Sequence, residues 1–132
     1  EMQRTMQAHC AVFRTDELMQ EGRDKLTSLW AKNDDIKVND TSLIWNSDLA
    51  ETLEYDNLLA QAVVSLDSAI NRKESRGGHA HEDYPDRDDE NWMKHTYVWL
   101  NDDGTSRIDY RPVHTNTMTN DVEPVPPKER VY

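Results

Sequence analysis

Apolar residues recur at helical intervals through the first part of the chain. An N-terminal stripe predicts a helix over about residues 1–12, formed by Met2, Met6, His9, Cys10 and Phe13. Thr15 is a suitable N-cap for a second helix over about residues 16–32, because two acidic residues follow it and favour the helix dipole. The apolar face of this second helix consists of Leu18, Gly22, Leu26, Leu29 and Trp30.

The longest helical pattern follows a polar segment. NDDIKVNDTS is rich in residues that hydrogen-bond their own backbone and favour turns, so it predicts a loop. A third helix is predicted over about residues 47–73, with Leu49 and Leu53 early and then Leu59, Ala62, Val63, Leu66 and Ile70 on one face. Gly77 and Gly78 are expected to end this helix, since glycine readily adopts the left-handed conformation.

The remainder of the chain predicts little helix. Residues 74–92 are expected to form a loop, and KHTYVWL and SRIDYR, separated by NDDG, predict a hairpin over about residues 94–111. The tail, residues 112–132, contains the proline-rich VEPVPPKERVY and is expected to be extended. The predicted fold is mainly α: one domain with an antiparallel, spectrin-repeat-like three-helix bundle, a β-hairpin and a Pro-rich tail.

Composition narrows the classes of partner. The 132 residues carry a formal net charge of -11, which argues against a basic surface for nucleic acid or anionic lipid. The apolar runs are shorter than a membrane span, and the N-terminus lacks the pattern of a signal peptide. Cys10 cannot form an internal disulfide, which fits a reducing compartment. The pattern of EMQRTMQ is helical from its first residue, so we expect the chain to be a part of a longer protein.

The segment ESRGGHAHEDYPDRDD, residues 74–89, offers two interpretations of its charged groups. His79, His81 and Asp83 follow the His-x-His-x-Asp order of binuclear metallohydrolases, in which alternate side chains reach one metal. That signature needs a further histidine where Tyr84 stands. We therefore expect no native metal site, and prefer a solvated or paired acidic face that includes Asp86, Asp88, Asp89 and Glu90.

Catalysis and cofactor binding find little support in the residues themselves. A dinucleotide site needs a glycine-rich turn between a strand and a helix, and the four glycines, Gly22, Gly77, Gly78 and Gly104, cannot assemble one. Cys10 lies on a predicted apolar helix face, which favours an inert buried thiol over a nucleophile.

A longer motif indicates a family. RKESRGGHAHEDYPDRDDENWMKHT closely resembles the signature RxESRGxHxRxDxPxRDDxxWxxH of the C-terminal region of succinate dehydrogenase and fumarate reductase flavoproteins. MQAHCAVFRT, LEYDNLLAQA and PPKERVY are also similar to that family, so the resemblance covers essentially the whole chain. Succinate dehydrogenase is favoured among its members. His81 stands where the family usually has Arg, which puts in question any salt bridge made by that Arg.

The resemblance implies docking and no chemistry in this region. In such flavoproteins, succinate is oxidised to fumarate by proton abstraction through an Arg and hydride transfer to FAD, all in upstream domains, so no FAD is expected on this chain alone. The helical C-terminal region packs on the flavin-binding part, and we expect charge-assisted bonds of Glu74 and Arg76 across that interface. The expected docking residues are Glu74, Arg76, Gly77, His79, Asp83, Arg87 and Asp88.

The resemblance also implies partners and a location. The partners are the rest of the flavoprotein subunit, an iron-sulfur subunit and membrane anchor subunits that pass electrons to quinone. The location is the cytoplasmic side of a bacterial inner membrane or the matrix side of the mitochondrial one. The alternatives are the same domain of fumarate reductase or L-aspartate oxidase, and an independent acidic interaction module.

Overall fold

Helices account for most of the ordered secondary structure in this computed structural model, which describes residues 1–128. The helices are α1 (Met2–His9), α2 (Asp16–Trp30), α3 (Ser47–Asn71) and the single turn α4 (Asp89–Trp92), with a 3₁₀ turn at Asn33–Asp35. The strands are β1 (Phe13–Arg14), β2 (Ala80–His81), β3 (Lys94–Leu100) and β4 (Ser106–Pro112). The prediction of a mainly α fold is confirmed, whereas the spectrin-repeat-like bundle stays a prediction.

The core lies where α1, α2 and α3 meet. Met19, Leu26, Val63 and Leu66 have no exposed surface, and Leu59 has almost none. Met6, Leu29 and Trp30 pack against this cluster from its edge. The predicted apolar faces of α2 and α3 thus meet in this core through Leu26, Val63 and Leu66, although the predicted α2 face omitted Met19.

Capping residues set the helix starts. Thr15 Oγ1 accepts the Leu18 amide at 3.2 Å, as its position before two acidic residues predicted. Asn46 Oδ1 accepts the Leu49 amide at 2.8 Å at the start of α3. The predicted ends ran too far: α1 ends at His9 and not at Val12, α2 at Trp30 and not at residue 32, and α3 at Asn71 and not at Lys73.

The glycine pair does not end α3, which corrects its predicted role. Arg72 leaves the helix in an extended conformation, five residues before Gly77. Gly77 and Gly78 instead form the tip of a tight turn, in which Arg76 and His79 exchange backbone hydrogen bonds of 2.9 and 3.0 Å. Gly77 has a φ of 58°, the positive value that the first central residue of such a two-residue hairpin turn favours.

The predicted hairpin is confirmed as β3 and β4, an antiparallel pair that runs from Lys94 opposite Pro112 to Leu100 opposite Ser106. Its turn packs on α2. A Cβ at Gly104 would lie 2.7 Å from ring atoms of Trp30, so only glycine fits there. Arg23 secures the contact by donating to the Gly104 carbonyl at 2.8 Å.

Two predicted core positions are wrong. Phe13 is 70% exposed and Leu53 is 65% exposed. Phe13 lies beyond the end of α1, in β1. Leu53 lies six residues before Leu59, which turns it about 120° around α3 away from the core face. The early leucines therefore do not continue the stripe of Leu59, Val63 and Leu66.

Within residues 113–128 there is no helix or strand, and an extended tail stays a prediction. The last part of PPKERVY, residues 129–132, lies outside the described residues. Over residues 1–128, each helix is too short or too polar to cross a membrane.

Candidate docking surface

Glu74 is the centre of the predicted docking loop, and it is completely buried. Arg76 donates to its two oxygens at 2.8 and 3.0 Å, the Asp88 amide donates at 2.9 Å, and Arg72 makes a further short hydrogen bond. Burial alone would raise the pKa of Glu74, but the hydrogen bonds from Arg76, Asp88 and Arg72 outweigh it and hold the pKa below its usual value. The carboxylate is therefore charged and fixes both ends of the loop.

This geometry corrects the expected partners of Glu74 and Arg76. The two side chains bond each other, and Arg76 also donates to Asp89 Oδ1 at 2.6 Å. Since Glu74 has no exposed surface, it supports the loop from within this chain.

Arg72 connects the loop to the hairpin. It donates to the carbonyls of Trp92 and Lys94 at 3.1 and 2.6 Å, and its guanidinium lies 5.3 Å from the centre of the Trp92 ring. A planar guanidinium with five donors suits this set of diverging acceptors. Arg72 was not among the predicted site residues, although it lies within the RKESRG motif.

His79 is held between two arginines. Arg14 Nη1 lies 2.7 Å from His79 Nδ1, and His79 Nε2 lies 3.1 Å from the Arg72 carbonyl. Because arginine only donates, Nδ1 accepts and Nε2 carries the proton. Burial lowers the pKa of His79, and the nearby charge of Arg14 lowers it further. The hydrogen bond to the Arg72 carbonyl raises the pKa but does not outweigh burial, so the ring is neutral at pH 7.

A short parallel strand pair joins the loop to the α1–α2 connection. Phe13 is opposite Ala80 and Arg14 is opposite His81, and the Glu82 amide donates to the Arg14 carbonyl at 2.7 Å. Arg14 also donates to the carbonyls of Ala11 and Cys10 at 2.8 and 3.1 Å, just beyond the end of α1. Burial raises the pKa of the Cys10 thiol, which disfavours the reactive thiolate.

His81 contacts different residues from those that His79 contacts. Its Nε2 lies 3.1 Å from Asp16 Oδ1, and its Nδ1 lies 3.9 Å from Asp83 Oδ2. Asp16, His81 and Asp83 could thus converge on a cation, but the Lys73 ammonium already bonds Asp16 and supplies the positive charge there. His79 points both nitrogens elsewhere, so the His-x-His-x-Asp set does not converge. The expectation of no tight metal binding stays a prediction.

The exposed part of the loop is its tip and its acidic side. Gly77 and Gly78 are exposed, and a Cβ at either position would meet no atom of residues 1–128 within 4 Å. Asp83 accepts the Asp16 amide at 2.7 Å, and Arg87 donates to Asp89 at 3.0 Å and to the Lys128 carbonyl at 2.7 Å. Asp88 caps α4 by accepting the amides of Glu90 and Asn91. We call this outward face, Gly77–Gly78 with Asp83, Arg87 and Asp88, the loop surface.

The predicted residues are therefore brought together in two layers. Glu74, Arg76 and His79 form a hydrogen-bonded base, and the loop surface lies above it. Sequence reasoning missed Arg14 in β1, Asp16 at the start of α2 and Lys73 just after α3, whose side chains support the loop from below. Arg14 and Asp16 lie about 60 residues before the loop, and only the fold brings them close.

The glycines do not fit an FAD pyrophosphate. Gly22 is inside α2, where a Cβ would lie 2.5 Å from His9 Cβ, and Gly104 packs on Trp30. Gly77 and Gly78 precede the two-residue strand β2 rather than a helix, so the helix N-terminus that normally receives a dinucleotide phosphate is missing there.

Comparison with known proteins gives the family. The family described as "Fumarate reductase flavoprotein C-term" matches residues 1–132. This chain belongs to that family. The resemblance inferred from RKESRGGHAHEDYPDRDDENWMKHT is thereby confirmed.

Relatives of known name and solved structures match the chain almost throughout. The succinate dehydrogenase flavoprotein subunit of Rickettsia conorii is 56% identical over 99% of the chain, and the mitochondrial ubiquinone-type subunit of Oryza sativa subsp. japonica is 54% identical over 99%. A solved structure of FrdA from E. coli quinol fumarate reductase covers 97% of the chain at 39% identity, with a TM-score of 0.81. The chain spans 22%, 21% and 21% of these three proteins, respectively.

Proposed function

We propose that residues 1–132 form the C-terminal helical domain of a flavoprotein subunit that oxidises succinate to fumarate. The observation that carries this proposal is 56% identity to a succinate dehydrogenase flavoprotein subunit over 99% of the chain. Fumarate reductase flavoprotein subunits are also similar, but at 38 and 40% identity. Succinate oxidation is therefore the favoured direction.

In this proposal FAD is bound by the preceding part of the subunit, and the chain contributes a docking surface. Support comes from the exposed glycine tip, which lets another backbone approach closely, and from charged groups beside it on a fixed base. The helices α1–α3, as an antiparallel bundle, would provide a rigid support for the loop. Electrons would pass from the flavin to an iron-sulfur subunit and on to quinone at membrane anchor subunits. The complex would lie on the cytoplasmic side of a bacterial inner membrane or in the mitochondrial matrix.

A fumarate reductase is the second candidate, because the FrdA structure superimposes with a TM-score of 0.81. The two are separated by assaying the full-length subunit in its complex in both directions. A succinate dehydrogenase oxidises succinate faster than it reduces fumarate when each is measured with a matched electron acceptor or donor.

Docking is tested at Gly78 in the full-length subunit. Gly78 is exposed, lacks a positive φ, and has no described atom within 4 Å of an added Cβ, so we expect Gly78→Trp to leave this chain's own fold intact. At a close interface the indole would block approach of the other backbone. We expect Gly78→Trp to lower flavin content and succinate oxidation, whereas Gly78→Ser has a small effect.

The control places the same indole elsewhere. Gln20 is exposed on α2, and Gln20→Trp should leave flavin content and succinate oxidation unchanged. Full flavin content and activity in Gly78→Trp would refute docking through the loop surface.

A further inference from the structure

An exposed apolar turn lies at the other end of α3. Leu43, Ile44 and Trp45 are consecutive and have 91, 80 and 97% of their surface exposed. Large apolar side chains exposed singly are ordinary, but three in a row that include a tryptophan are typical of interaction sites. We call these three residues the Trp45 turn.

The backbone of the Trp45 turn is unusual. Trp45 has a φ of 53°, and it is the one non-glycine residue with a positive φ in the part of the chain that the structure describes. This conformation disfavours a bulky side chain, so it persists only where the surroundings impose it. It places the indole in solvent, where no other residue between 1 and 128 covers it.

The surroundings impose the turn through hydrogen bonds. Asn46 Nδ2 donates to the carbonyls of Asp40 and Ser42, both at 2.7 Å, and Asp48 Oδ2 accepts the amides of Asn39 and Asp40 at 2.6 and 3.0 Å. The turn is thus presented on a preformed frame, which reduces the entropy lost when a partner covers it.

Two further large apolar side chains are exposed on α3. Leu53 and Leu58, on the N-terminal half of the helix, are 65 and 46% exposed. A cavity of about 490 Å³ is lined by Leu58 together with Glu1, Glu51, Glu54, Tyr55 and other residues. A partner that fills this region would combine apolar contacts with basic groups.

We propose that the Trp45 turn docks on the part of the flavoprotein subunit that precedes this domain, as a second contact distinct from the loop surface. This inference rests on the proposed function. About four-fifths of each curated relative lies outside the matched region, since the chain covers only 22% of the Rickettsia protein. The family description places the matched region at the C-terminus, so that larger part precedes it.

Other occupants fit less well. A second copy would bring two chains of net charge -11 together around the acidic residues Asp40, Asp48 and Glu51, where like charges repel. An anionic membrane is disfavoured for the same reason. A permanently exposed tryptophan suits a permanent interface, such as one between parts of a single chain, better than a transient one.

The two contacts lie far apart. The Trp45 turn precedes Ser47 and the loop surface follows Asn71, so the 25 residues of α3 separate them by about 37 Å. Contacts at both ends of α3 would fix the orientation of this domain, because two separated contacts resist a rotation that one contact allows.

Oxidative footprinting of the full-length flavoprotein subunit tests the proposal. The subunit is purified without its partner subunits, exposed to hydroxyl radicals, and the oxidation rate of each tryptophan is measured by mass spectrometry, with the urea-unfolded subunit as reference. We expect the Trp45 rate to fall by about tenfold on folding, as a desolvated indole requires. A rate within about twofold of the unfolded reference overturns the proposal, since Trp45 is then exposed.

Two further results would also overturn it. Protection that arises only in the assembled complex would assign the turn to another subunit, and protection that depends on protein concentration would assign it to a second copy. The outcome is independent of the Gly78 test: a Gly78→Trp subunit with full flavin content refutes the loop surface even if Trp45 is protected.

A variant gives an independent measurement. Trp45→Gly removes the indole and accepts the positive φ, so the turn keeps its conformation. In the full-length subunit it should lower the melting temperature by about 4 °C or more, whereas Thr41→Gly, on the same loop, should have little effect. An unchanged melting temperature in Trp45→Gly would contradict the proposal.

Discussion

Arg14 donates a hydrogen bond to His79 across 65 residues of sequence, with 2.7 Å between Nη1 and Nδ1. The contact joins β1 to the glycine turn and requires a neutral His79, because a protonated ring has no lone pair for Arg14. The loop surface therefore depends on the protonation state of a residue beneath it.

His79 should make the free energy of unfolding depend on pH. The pKa of His79 is lowered by burial from its ordinary value of 6.5, so the unfolded chain binds the proton more readily than the folded one. The contribution of His79 to the free energy of unfolding is then fully present above pH 6.5, and it decreases as the pH falls below 6.5 towards the folded pKa. His79→Gln should flatten this slope in urea titrations between about pH 5 and 7, whereas His95→Gln, at an exposed position, should preserve it. An unchanged slope in His79→Gln would contradict the assignment.

Glu74→Gln should strongly destabilise the chain. The substitution removes the charge that partners Arg72 and Arg76 in a fully buried site, which typically costs about 3–5 kcal/mol. Urea unfolding measures the change, and Glu82→Gln, at an exposed residue that bonds through its backbone, serves as the control. A loss under about 1 kcal/mol would mean that the ion pairs contribute no more than surface ones.

Glu74 should also make the stability of the chain depend on pH in the acid range. Because the pKa of Glu74 lies below its ordinary value of 4.5, its contribution is present above that pH and is lost as the pH falls through the folded pKa. The wild-type chain should lose this contribution below about pH 4.5, and Glu74→Gln should lose less over the same range.

Gly104→Ala tests the contact between the hairpin and α2. The added Cβ would lie 2.7 Å from the Trp30 ring and would adopt a φ of 78°, so we expect a loss of about 2–4 kcal/mol from strain and overlap. Gly78→Ala is the matched control, because its Cβ meets no atom within 4 Å and its φ is not positive. Equal stability of the two variants would exclude the Trp30 contact.

Leu66→Ala tests the core. Leu66 has no exposed surface, and the cavity left by the substitution should cost about 2–5 kcal/mol in thermal or urea unfolding. Leu53→Ala, on the same helix but 65% exposed, should change stability by less than about 0.5 kcal/mol. A similar loss for both variants would mean that the α3 stripe is misplaced.

The sequence predicted what depends on local chemistry. Thr15 caps α2, the hairpin forms over the expected residues, and Leu59, Val63 and Leu66 lie in the core, because capping, turn signals and helical spacing act over a few residues. The ends of the helices were less predictable. The helix α1 ends at His9, and just beyond it Arg14 donates a hydrogen bond to the Cys10 carbonyl.

The base of the docking loop could not be predicted in the same way. The sequence favours an exposed interface position for Glu74, because glutamate is rarely buried without partners. Its partners Arg76 and Arg72 are nearby, but the Asp88 amide is 14 residues away and becomes a donor only when the loop closes. Asp16 reaches His81 and Lys73 from another helix, and no local pattern predicts that contact.

Amide hydrogen exchange at Gly77 and Gly78 tests docking through the loop surface most directly. Among the described residues, neither amide donates a backbone hydrogen bond in the turn, so both should exchange rapidly in the 132-residue chain alone. In the full-length flavoprotein subunit, we predict that exchange in the peptide containing these residues slows by at least about tenfold, because the docked backbone excludes water. Equal exchange rates in the chain alone and in the full-length subunit would contradict the docking account.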